Sequence, residues 1–154
     1  MKINMISDYI HQIDIDYACC QLLCLLNTMI HQGKQEVPRP GSSVFEELVD
    51  LTGCRYGACI SNGKAAVKYG YNRVLGEPTL AFLQQHLPNN PVELAVWTGA
   101  TNWGFHSTLA VNIENEDMLT LVNYCKDEVM TKVRLSVLDT CSPPNFKAYA
   151  YLQS

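Results

Sequence analysis

The chain has 154 residues, 47% of them hydrophobic and 17% charged, with a net charge of −4. That length suits one domain with a core of its own, and the composition excludes a disordered chain. The acidic balance argues against a general nucleic-acid binder, and no run of about 18 apolar residues is present to span a membrane.

Residues 1–15 read as an arm, with acids where a signal peptide would be uniformly apolar, so a cytoplasmic protein is expected. Asp16 is a candidate N-cap for a helix over 17–32 that Gly33 stops. Leu22, Leu23, Leu25, Leu26, Met29 and Ile30 make that helix apolar on most sides, so other elements must wrap it. Pro38–Gly41 is a loop, and Ser43 with Glu46 has capping-box spacing for a helix to Thr52, ended by Gly53. Further helices are expected near 63–69, before Gly70, and near 79–87, before Pro88-Asn89-Asn90-Pro91.

After residue 91 the apolar period changes to two. Strands are expected at 92–97, 106–113, 118–124, 129–137 and 146–152, with Glu114–Asp117 closing a hairpin. On the fourth of these, Val129, Thr131, Val133, Leu135 and Val137 are expected to share a face. Helices first and antiparallel strands second predict a single α+β domain over 1–154, with a helical lobe over about 1–90 and a sheet lobe over 91–154.

The seven cysteines cannot all pair within one chain, and no Cys-x-x-Cys spacing suggests a zinc site. No metal or other cofactor is expected. Cys24, Cys54, Cys59, Cys125 and Cys141 are expected to be reduced and mostly buried as small hydrophobes.

Cys19 and Cys20 differ from these because they open the apolar helix, where unpaired N–H groups and the helix dipole favour a thiolate. His106 starts a strand, and Asn123 lies on the next. An even-numbered hairpin loop sets odd positions opposite even ones, so the two can share a face. The asparagine amide could then hold one ring nitrogen and leave the other as a base for sulfur. Thr108 and Ala110, small residues on the face of His106, leave room for a helix end. Gln12 could donate to a tetrahedral oxyanion or be an exposed arm residue. Trp97 and Trp103 could wall a substrate groove or belong to the core. His11, His31 and His86 are expected to be solvated.

With these residues in place, the chain resembles the papain-fold peptidase domains that cleave double-glycine leader peptides, and the stand-alone bacterial and phage proteins sharing that core. Their order is a glutamine, a cysteine opening an apolar helix, a strand led by histidine, then Asp or Asn one hairpin later; here these are Gln12, Cys19 or Cys20, His106 and Asn123. Lys64–Gly70 and Pro91–Val96 also follow the family's run, so the resemblance covers about residues 10–125. It implies a papain-like two-lobe fold with a central helix and an antiparallel sheet, and a Cys-His-Asn site cleaving a peptide or amide bond. Neither cysteine is followed by Gly-Pro, and the family's glutamine-to-cysteine gap of about six becomes seven to Cys19 and eight to Cys20. The helix interior favours Cys20 as nucleophile, through Cys24, Leu25, Asn27 and Gly33; the glutamine spacing favours Cys19. The reading is a cysteine peptidase-like hydrolase with a peptide or protein substrate. The alternative is a papain-like binding module, an effector or inhibitor, that no longer catalyses.

Overall fold

Four helices and a six-stranded antiparallel sheet form an α+β fold in the computed structural model, which describes residues 8–15, 19–56, 61–98, 104–138 and 147–154. The helices are α1 (Cys20–His31), α2 (Ser43–Thr52), α3 (Asn62–Lys68) and α4 (Leu80–His86). The strands are β1 (Tyr71–Gly76), β2 (Val92–Thr98), β3 (Gly104–Glu114), β4 (Met118–Val122), β5 (Met130–Arg134) and β6 (Ala148–Gln153), in the order β1-β6-β2-β3-β4-β5.

Both faces of the sheet are covered, as the alternation of side chains along a strand requires. One face carries Leu109, Val122 and Tyr151 against Leu22, Leu23 and Leu26 of α1 and Phe45 and Val49 of α2. The other carries Val92, Leu94, Val96, Ala110 and Leu121 against Leu83 and Leu87 at α4. Each fully buried leucine of α1 contributes roughly 1.5–3 kcal/mol, which fixes that helix as the centre of the first layer.

Several expectations are corrected. The Asp16 cap lies outside the described residues, and Cys19 occupies the N-cap of α1 without a side-chain capping bond. Ser42, one residue before the expected Ser43, caps α2 by accepting from Phe45 N. β1 was not expected; it pairs with β6, so the sheet draws a strand from the first half and is not confined to 91–154. Gly76 at its end stands so close to the Phe82 ring that a side chain there would collide with it. The expected strand over 129–137 is shorter, because the chain turns into a 3-10 segment over Leu135–Val137 after Leu135 N bonds to Asp117 O. Cys54 is disulfide-bonded, not reduced, and Cys125 is half-buried, while Cys19, Cys20, Cys24 and Cys125 are free. Cys59 and Cys141 lie outside the described residues.

The three histidines expected in solvent are all engaged. His31 Nδ1 bonds to Tyr9 Oη at 2.9 Å, His86 is buried against the Phe82 ring, and His11 Nε2 bonds to Cys125 O at 2.7 Å.

Candidate active site

The site begins with the arm and its attachment to α1. Asn27, buried within that helix, accepts from Ile10 N at 2.7 Å and donates to Ile10 O at 3.0 Å. This two-bond clamp satisfies a buried amide and fixes the arm's path. A 3-10 turn over Gln12–Asp14 follows. It sets Gln12 between α1 and the end of β4. Gln12 N donates to Asn123 Oδ1 at 2.7 Å, and Gln12 Oε1 accepts from Cys19 N at 3.3 Å and from the Cys19 thiol at 3.7 Å.

The β3–β4 hairpin brings Asn123 and His106 together in an unexpected way. Its loop has three residues, Asn115–Asp117, with positive φ at Asn115 and Glu116. Glu114 therefore pairs with Met118, an even-with-even register. A bulge between Ala110 and Asn112 then restores odd-with-even pairing, with Leu109 opposite Val122. β4 ends there, and Asn123 turns out of the ladder at φ 60°. His106 Nε2 meets the Asn123 main-chain oxygen at 2.5 Å. The asparagine amide does not hold the ring as expected, because its oxygen takes the Gln12 N–H. A carbonyl only accepts, so His106 Nε2 carries the hydrogen and Nδ1 carries the basic lone pair.

Cys19, Gln12, Asn123 and His106 thus lie on one hydrogen-bonded path. Cys20 does not join it. Ser107, next to His106 on β3, is the residue against the Cys20 thiol. Strand alternation puts Ser107 with Leu109 on the α1 side and His106 with Ala110 on the α4 side. Thr108 and Ala110 do share the face of His106, but the helix on that face is α4. In this conformation β3 separates the imidazole from the Cys20 sulfur.

The electrostatics also correct the expected thiolate. Burial pushes the Cys19 thiol up to about 12. Burial raises Cys20 too, against hydrogen bonds from the Ser107 main chain and hydroxyl and from the Gln21 main chain that favour its charged form. Burial brings the His106 imidazole down to about 4. The resting site holds neutral thiols and a neutral imidazole.

Trp97 lies on β2 with its side chain outside the description, and Trp103 lies outside the described residues. Among the described residues, no three His, Cys, Asp or Glu side chains converge as a metal centre needs, and no helix is long and apolar enough to cross a membrane. Sequence reasoning missed Asn27 as the arm's clamp and Ser107 as the neighbour of Cys20. A lone amide inside an apolar helix could have flagged the first. Nothing local marks the second, because it depends on which face of β3 meets α1. No family model and no curated protein matches the chain.

Proposed function

We propose that the chain is a papain-like cysteine hydrolase that cleaves a peptide or amide bond. The observation that carries this reading is the path Cys19–Gln12–Asn123–His106, which joins residues far apart in sequence and ends next to Cys20 in the chain. Cys20 is the nucleophile of this reading: the residue is partly exposed, whereas Cys19 is buried and its thiol is bonded to Gln12. Donors from Ser107 and Gln21 favour its thiolate. Gln12 and Asn123 position the arm and the ring. Catalysis requires the His106 ring, which rests on the other side of β3, to come within hydrogen-bond reach of the sulfur.

A second reading, a non-catalytic module that binds a peptide or protein, is favoured by the neutral thiols and by the strand between Cys20 and His106. The two are separated with p-nitrophenyl acetate, a small acyl donor, by timing p-nitrophenolate release and mapping the acetyl adduct by peptide mass spectrometry. The hydrolase reading expects a burst with the adduct on Cys20, lost in Cys20→Ser and reduced at least 100-fold in His106→Ala. Equal acetylation of Cys20 and Cys125, indifferent to His106→Ala, favours the binding module. An adduct on Cys19 moves the nucleophile by one position. The cytoplasmic placement belongs to this proposal as well; the Cys54 disulfide weighs against it, since such bonds persist mainly in oxidising compartments.

A further inference from the structure

Asn123 is 2% exposed, and its amide nitrogen is buried without a hydrogen-bond partner among the described residues. The orientation of the amide is not free to reverse. Its oxygen accepts the Gln12 main-chain N–H, and a reversed amide would set two donors against each other. A buried donor left without an acceptor costs on the order of 1–3 kcal/mol, so such an atom calls for an explanation.

We infer that Asn123 Nδ2 is the donor that receives the acyl oxygen of the bound substrate, and not a device for orienting His106. This rests on the hydrolase reading and gives Asn123 a different part in it. The ring is already held by the Asn123 carbonyl, which leaves the amide for another task. Its oxygen accepts from the Gln12 main-chain N–H, and the Gln12 side chain in turn accepts from Cys19, the residue before Cys20, so one residue links Asn123 to the N-cap of α1. When the sulfur attacks, a sulfur–carbon bond forms and the carbonyl oxygen takes negative charge. The thiol proton passes to His106 only after the ring has left its resting place on the other side of β3, and collapse of the intermediate expels the leaving group with its electron pair. A donor aimed at that oxygen acts on the charge as it develops. Nδ2 is closed to solvent at rest, so the incoming oxygen displaces what covers it.

Asn123→Asp is the decisive variant. It keeps the oxygen that accepts from Gln12 and tolerates the left-handed backbone, but replaces the donor with an acceptor. If the side chain oriented histidine, a carboxylate would serve as well or better. As an oxyanion donor it cannot. The test compares acylation by p-nitrophenyl acetate, which passes through a tetrahedral oxyanion, with alkylation by iodoacetamide, a displacement that forms none. Asn123→Asp is expected to slow acylation about 100- to 1,000-fold and to leave alkylation of the same cysteine within about threefold. Asn123→Gly, suited to positive φ, should repeat this result if the aspartate variant folds poorly. Acylation at the wild-type rate in both variants overturns this inference alone. A wild-type protein without site-directed acylation removes the hydrolase reading, and this inference with it.

Discussion

The imidazole of His106 is neutral because it is buried, and that neutrality has a measurable consequence. Its folded pKa, about 4, lies below the ordinary histidine value of 6.5. The unfolded chain therefore binds the extra proton first as the pH falls. The stability tied to His106 is complete above about pH 6.5 and is lost on acidification through pH 4, a loss of roughly 3 kcal/mol. Denaturant titrations at pH 7 and pH 4.5 should show a steeper loss for the wild-type protein than for His106→Gln, which cannot titrate. Parallel losses would mean that the buried imidazole is not the group responsible. At this scale the order of cysteine, histidine and asparagine was legible, since it lies in the chain itself. The roles of individual atoms were not. The bulge near Val111 and the left-handed turn at Asn123 decide which Asn123 oxygen meets the ring; asparagine suits such a turn, but no residue type in the hairpin announces the bulge.

At the scale of elements, β1 depends on a buried ion pair. Arg73 binds Glu93 through Nε at 3.2 Å and Nη2 at 2.6 Å, and Tyr149 stacks on the guanidinium at 3.5 Å. Tyr151 donates to Glu93 Oε1 at 2.6 Å, and Asn62 links Tyr151 to the Gln21 carbonyl of α1. One network thus ties β1, β2, β6, α3 and the first turn of α1. Arg73→Met leaves a carboxylate buried and unpaired, and should cost about 3–5 kcal/mol by chemical denaturation. Adding Glu93→Gln, which still accepts from Tyr151, should recover most of that loss. A double variant no more stable than Arg73→Met would show that packing, not charge, carries the effect. The same pair explains why β1 was hidden. Arg73 points inward, so the strand lacks the alternating apolar face that reveals a strand, and its partner lies 20 positions away. By contrast α1, α2, α3 and α4 were legible from period, caps and stop residues, and β2, β3 and β4 from alternation, because burial on one face leaves a local record.

Over the whole molecule, strand order sets a hierarchy of protection. β1 and β5 are edge strands, while β6, β2, β3 and β4 are flanked on both sides. Amide hydrogens of β2 and β3 should exchange most slowly, through global unfolding, and those of β5 at least tenfold faster, through local opening. Uniform exchange across the sheet, measured by mass spectrometry of peptic fragments, would contradict this order.

The same order also constrains the sequence of events in folding. β3 and β4 are joined by a three-residue loop and can pair early, at little entropic cost. β6 must find β2 and β1 across most of the chain's second half, Tyr71 meeting Gln153 and Val92 meeting Ala150. Such distant pairing is slow. Until it happens, Glu93 has neither Arg73 nor Tyr151 beside it, and the interior charge stays hydrated. The late step in folding is then a desolvation, the closing of water out from around one carboxylate, and changes at Arg73 or Tyr151 should act mainly on the rate of unfolding.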